Sequence, residues 1–451
     1  MTTSLAEDLV ATVTAVDATR LPHSARDAVL RNSLQIFGVM RLGLQNPVAR
    51  TAVEYVAQYE PGHTATVVAH GFRSATPAGA AFANAAASHG DFREDTHAES
   101  SSHPGVVVFP AILAAAEALG GNLPAGRFIE AAVAGHEMIG RLGGAAAMPT
   151  IERGFRPPSV YTLFGGTVAA GMILGLTPEQ HVHALAVASQ GAAGLNHPFF
   201  AGTDEWFLAP AFAARHAVTS AFLAQAGAEG SRFALEGGDG VLAAFAGRPV
   251  DIDLSPLGSR PCEIERTRLK AALTCGWNQS LVNQLRELAP DAHSVASVVV
   301  RMSPIAAEYP GVAKTDGFTN FSEALLSAPF ASALQLVRGS LDHTGYAKLD
   351  DPELLDVAGR VTVETAPELD GYATTVDLRL ADGKTLRSRD GNDNPRFSLD
   401  TAGQVLDTLR RNYISAGENP AAVGPLATAL GSLADAGEVA PLSEALGEEK
   451  P

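Results

Sequence analysis

Cysteine is almost missing: Cys262 and Cys275 are the two in 451 residues. Neither their number nor their spacing makes a disulfide framework or a zinc site, so a reducing, cytoplasmic setting is expected. Positive charge is also short, with 32 Lys and Arg against 49 Asp and Glu and a net charge of -17. Nucleic acid and anionic membranes both demand a basic face, so neither is expected as a partner. An anionic small molecule needs only a local basic pocket and stays open. The first residues, MTTSLAEDLVATV, carry acids early and no basic leader, so no signal peptide is expected. Long uncharged runs are scarce. Ser159 to Leu176, SVYTLFGGTVAAGMILGL, is near the length that spans a bilayer. Its Gly, Thr and Ala content, and the lack of a companion run, predict a fully buried helix instead. No internal repeat, phosphate-binding Gly loop or Gly-x-Ser-x-Gly elbow is present.

What is there is globular: 46% hydrophobic and 18% charged. The length exceeds what one core usually serves, so two domains are expected. The first part reads as helices, many alanine-rich and opened by caps. Ser4 to Glu7 and Thr177 to Gln180 are capping boxes, and Thr76-Pro77 opens another helix. Helices are predicted near 106–119 and 124–142, where His136 reads as structural and Glu137–Arg141 as a surface pair. After about residue 250 the text changes. Period-two segments at 294–302, 357–365, 372–380 and 384–389 predict strands, with a hairpin turn at Ala381 to Gly383. Helices are predicted among them at 277–289, at 321–338 and in the DPELLDVA segment, 351–358. The fold class is therefore mostly α: a large all-helical domain (1–256), a smaller inserted α+β lid domain (257–392), and C-terminal helices (393–451) returning to the first.

One stretch stands apart. Ser88 to Gly105, SHGDFREDTHAESSSHPG, packs Asp91, Glu94, Asp95 and Glu99 with His89, His97 and His103 between apolar helices. Such a knot is costly to bury unless paired or used. A solvated capping loop is the bland alternative. His103 is the best general acid or base, because imidazole titrates near neutrality. Further on, Gly154-Phe-Arg-Pro-Pro-Ser-Val holds Arg156 extended before two prolines. With Ser159 as cap and free N–H groups nearby, Arg156 is a candidate carboxylate clamp. A divalent metal in the acidic stretch is the less favoured alternative, since no His-x-x-x-His spacing occurs there.

The order of HGDFREDTHAESSSHPG, AGHEMIGRLG, GFRPPSVYTLFGG and GLTPEQHVHALAVASQGAAGL resembles the MmgE/PrpD family across most of the chain. That resemblance implies the helical-plus-lid fold, a homodimer through the helical domain, and no metal or organic cofactor. It implies a small carboxylate substrate and proton abstraction alpha to a carboxylate, leading to dehydration, decarboxylation or epimerisation. Thr96 and His103 match the family's threonine and its His-Pro histidine. The essential aspartate is ambiguous: its slot falls on Phe92, Asp91 lies one residue early, and Asp95 matches the last motif aspartate. Arg156 stands where the family has histidine, and Trp206 where the decarboxylases have lysine. A later family histidine aligns near Gly276. Lys270 matches a family lysine and, with Arg266, would anchor substrate from the lid side. Trp206 implies a more apolar subsite and a substrate with an aromatic or alkyl group. The expected function is thus a cofactor-independent lyase or isomerase with an altered active site. The alternative is a repurposed or catalytically silent member that binds a carboxylate or another small ligand.

Overall fold

Alanine and glycine let the helices approach closely, and the centre of the molecule is built from that. The computed structural model describes residues 3–431, apart from 71, 122 and 393–396, together with Glu438 and Val439. Helices Pro77–Asp91, Pro104–Ala118, Thr162–Leu174 and Ala209–Gln225 pack against one another. Every residue of Thr162–Leu174 is buried. Gly135 and Gly165 show why small residues matter there: a Cβ on Gly165 would lie 2.4 Å from the Gly135 carbonyl oxygen. The uncharged run at 159–176 is therefore a core helix of 13 residues, entered through a short turn Pro157–Val160. Among the described residues, Glu205–Gln225 has the length and composition to cross a bilayer, but 56% of it is buried in this fold.

The expected caps form. Ser4 and Thr177 make reciprocal capping boxes, and Thr76 Oγ1 accepts from Gly79 N–H. Two helices depart from the sequence expectation. Ala125–Glu152 continues ten residues beyond 142, through Pro149. The segment 321–338 is two helices, Phe321–Leu326 and Ala328–Arg338, because Ser327 is extended and caps the second. The Glu137–Arg141 pair is not superficial: both side chains are buried, and Arg141 also donates to the Asp253 carbonyl.

Beyond residue 290 a four-stranded sheet forms in the order Val361–Thr365, Val295–Met302, Thr374–Leu380, Thr385–Arg389. The first pair is parallel and the others antiparallel. Gly383, at φ 89°, supplies the left-handed residue of the hairpin. Strand 357–365 is shorter than expected, since Pro352–Ala358 is a helix. The chain then returns. Helix Ala402–Ser415 packs on His23–Val39, where Tyr413 Oη donates to the Gly38 carbonyl at 3.0 Å. Helix Val423–Gly431 also meets His23–Val39. The remainder of the C-terminal helices expected within 393–451 lies beyond Gly431, outside the described residues.

Candidate active site

Two short pairings seat the polar stretch. Asp95–Thr96 is a strand, antiparallel to Arg268–Leu269 from beyond the helical region. Lys270 N–H donates to the Glu94 carbonyl, and Gln35 Nε2 donates to the backbone carbonyls of both Arg93 and Lys270. His97 and Ser102 then exchange backbone bonds across a tight loop in which Ser101 adopts φ 47°. Most of Ser88 to Gly105 is buried, with Ala98, Glu99 and Ser101 exposed, so the solvated-loop alternative is overturned.

The titratable groups of this stretch are paired. Lys270 Nζ lies 2.8 Å from Glu94 Oε1 and 3.9 Å from the centroid of the Phe92 ring. The same Glu94 oxygen lies 3.3 Å from Nδ1 of both His89 and His103. His103 Nδ1 is 2.7 Å from the Asp95 carbonyl oxygen. A carbonyl can only accept, so Nδ1 carries the proton and Nε2 holds the free lone pair. Burial pushes His103 well below the usual imidazole range, against the opposing pull of Glu94, so the ring is neutral at pH 7. Burial drives His89 down in the same way, reinforced by Arg156 and Lys270. Asp95 is wholly buried. Its Oδ2 accepts from Gly105 N–H at 2.7 Å, and its Oδ1 has no partner among the described residues. Burial lifts this carboxyl to about 7 despite that hydrogen bond.

A cavity of about 440 Å³ opens beside these groups, where the helical and α+β regions meet. Thr96, His103 and Arg156 are on its wall. Thr96 Oγ1 is buried and has no partner among the described residues. Arg156 is 5% exposed and has no carboxylate within ion-pair distance among the described residues. Its guanidinium rests over Phe199 at 4.8 Å and Trp206 at 5.0 Å, and Nη2 is 3.4 Å from His89 Nε2. Burial lowers its pKa to about 10, which leaves it charged at neutral pH.

Several expected site residues lie elsewhere. Asp91 ends the helix Pro77–Asp91 and is held off the cavity wall by a two-pronged bond to Arg93, at 2.9 and 2.7 Å. Phe92 comes to the wall instead, because it takes the left-handed conformation at φ 58°. Asp95 contributes its backbone carbonyl rather than a carboxylate to the space around His103. Lys270 is turned into the protein against Glu94 and does not line the cavity. Arg266 pairs with exposed Glu99 at 2.6 Å, away from the cavity. Trp206 is 1% exposed and not on the wall: it stacks on Phe207 and donates Nε1–H to Ser322 Oγ, with Arg156 over its ring. It supports the guanidinium from behind and forms no subsite itself. The expected free N–H groups near Arg156 are also absent. Pro157 and Pro158 have none, while Ser159 and Val160 donate theirs to the Arg156 carbonyl. Ser159 Oγ donates to that same carbonyl, so it does not cap the core helix.

Phe199, Trp277, Tyr309 and Tyr372, which the sequence left unassigned, also line the wall, together with Gly276, near which a family histidine aligns. Only tertiary placement brings these distant segments together. Glu94, the hub of the buried pairs, was visible as one of four acids but not distinguishable from them.

His89, Glu94 and His103 present possible ligand atoms within 4.8 Å of one another. Glu94 and His97 also have a Glu-x-x-His spacing, but His97 Nε2 turns to Glu263 at 2.8 Å. The Lys270 ammonium already sits on Glu94, and the Arg156 guanidinium on His89. Two fixed cations beside the cluster disfavour a third.

Together the two regions form a cleft enclosing a neutral imidazole and an unpaired guanidinium, an arrangement fitted to organic anions. The chain matches the MmgE/PrpD N-terminal domain over residues 7–252. It belongs to the MmgE/PrpD family, a family of enzymes. It is 27% identical over 393 residues to a cis-aconitate decarboxylase of Mus musculus, covering 80% of this chain and 78% of that protein. It is 26% identical over 354 residues to a cis-aconitate decarboxylase of Aspergillus terreus, covering 73% and 72%. A cis-aconitate decarboxylase of Homo sapiens is 31% identical over 232 residues, covering 49% and 47%.

Proposed function

We propose that this protein is a cofactor-independent lyase or isomerase that abstracts a proton alpha to a carboxylate, using an active site altered from the family pattern. The carrying observation is Arg156: a buried guanidinium with no carboxylate partner among the described residues, on the same cavity wall as neutral His103. A buried unpaired cation is costly, and a bound carboxylate would offset that cost. The substrate carboxylate lies on Arg156. His103 Nε2 takes the alpha proton. The negative charge that develops on the substrate is held by Arg156 and by a hydrogen bond from Thr96 Oγ1. Glu94, 3.3 Å from Nδ1, steadies the imidazolium that forms. The Asp95 carbonyl keeps the ring in the tautomer that can accept.

Dehydration and epimerisation begin with this proton abstraction, whereas a decarboxylation, the reaction in the relatives' names, would lose carbon dioxide first and return a proton to the carbanion. The reading includes a cytoplasmic protein, in keeping with two buried free cysteines, and a homodimer through the helical domain, where Tyr59 and Phe212 are exposed. A second reading is a member that binds a carboxylate without turnover. Phe92 on the wall in place of an aspartate, and Gly276 near a family histidine, favour it.

The test is alpha-proton exchange in deuterated water, followed by NMR, over a panel of mono-, di- and tricarboxylates. Exchange that disappears in His103→Gln is expected. No exchange with any carboxylate, or exchange indifferent to His103→Gln, overturns the enzymatic reading.

A further inference from the structure

The wall has one end built for charge, while the rest is built for rings. Among the described residues lining the cavity, Arg156 is the sole lysine or arginine. Lys270 and Arg266 face away, as described above. Glu308 stands exposed at the rim and adds a negative charge of its own. From Arg156 an aromatic face runs onward. The guanidinium covers Phe199, whose ring lies 6.4 Å from that of Tyr309. Tyr309 lies 6.2 Å from Trp277, and Trp277 lies 4.8 Å from Tyr372. All four rings line the cavity.

A ligand with two or three carboxylates would place one on Arg156 and leave the others without a second cation, against aromatic faces, Glu308 or the uncharged side chains of Thr96, Ser101, Ser102 and Asn196. Desolvating an anion without a partner is expensive, and the negative face of a ring repels it. A hydrocarbon or aryl body meets the opposite situation, since each ring it covers is removed from water.

Resting on the carboxylate-site reading above, we infer that the natural ligand is a monocarboxylate with an aromatic or extended alkyl body, its carboxylate on Arg156 and its body along Phe199, Tyr309, Trp277 and Tyr372. The aromatic or alkyl body expected from Trp206 is kept on a different basis, because the apolar surface comes from these four rings and not from Trp206. It also separates this chain's ligand from the tricarboxylate that its relatives' names carry.

The test is binding by titration calorimetry, which needs no turnover. The probes are 3-phenylpropanoate, hexanoate, propanoate, cis-aconitate and citrate. 3-Phenylpropanoate and hexanoate are expected to bind at least tenfold tighter than cis-aconitate or citrate, and Arg156→Gln is expected to abolish their binding. Trp277→Ala is expected to weaken 3-phenylpropanoate about tenfold while changing propanoate, too short to reach the ring, less than twofold. Cis-aconitate or citrate binding as tightly as 3-phenylpropanoate overturns the inference, as does absence of binding by every probe. Because the wild-type ranking stands alone, a variant that fails to fold does not remove the test. The two readings separate cleanly. Monocarboxylate binding without proton exchange sinks the enzymatic reading alone, and exchange confined to tightly bound tricarboxylates sinks this one alone.

Discussion

The ammonium of Lys270 sits 2.8 Å from Oε1 of Glu94, and neither side chain reaches solvent. Lys270 comes from the chain beyond the helical region, and Glu94 from the stretch that carries His103. The pair therefore ties the chain leading into the α+β region to the wall of the cavity, beside the His103 imidazole. Lys270→Met leaves Glu94 buried without its cation. A loss of about 3–5 kcal/mol in urea unfolding is expected. Lys270→Met combined with Glu94→Gln removes both charges and is expected to lose clearly less. A loss in the double variant equal to the sum of the losses in Lys270→Met and Glu94→Gln alone would show that the pair is not coupled.

Arg156→Lys keeps the charge but discards the planar fork and its stacking on Phe199 and Trp206. A drop of about 10- to 100-fold in kcat/KM on any substrate found is expected, carried mainly by KM. Steady-state kinetics with matched thermal melts would check it.

Asp95 gives the fold an inverted pH response. Its carboxyl titrates near 7 in the folded protein against 3.8 as the ordinary value. Between those limits the folded chain holds a proton that the unfolded chain has released. Its contribution to stability is therefore full below about pH 4 and declines as pH rises toward 7, by about 4 kcal/mol at most. Asp95→Asn keeps an acceptor for Gly105 N–H and cannot ionise. Urea midpoints from pH 4 to 8 are expected to flatten in the variant, which becomes the more stable protein at pH 8.

Ala289 closes the helix Gln279–Leu288 at φ 40°, exposed and left-handed. Glycine adopts that conformation without the Cβ clash. Ala289→Gly is expected to raise stability by about 0.5–1 kcal/mol, read from the urea midpoint.

Much of the fold was legible because it rests on local rules. The capping boxes at Ser4 and Thr177, the hairpin at Gly383 and the core helix at 162–174 follow from spacing and composition. The run through Pro149 was not legible, since packing overrode propensity there, whereas the break at Ser327 was overlooked although Ser327 and Pro329 form a local helix-start signal. At the site, His103, Thr96 and Arg156 could be picked out because their types and neighbours carry the chemistry. The exchange of Asp91 for Phe92 on the wall could not, because it depends on a left-handed phenylalanine where glycine would be the usual signal. Nor could Lys270's partner: that pairing joins residues 176 positions apart through two-residue strands. The aromatic face was invisible for the same reason, as its four rings come from four separate regions of sequence.

The pairing of Asp95–Thr96 with Arg268–Leu269 fixes how molecules travel. The cleft cannot gape along that seam without tearing main-chain bonds and stranding the Lys270–Glu94 pair in a dry interior. Part of the rim is apolar, since Phe200 and Ile305 border the cavity and are exposed. A greasy threshold of that kind would slow the entry of heavily hydrated anions before the inner wall met them.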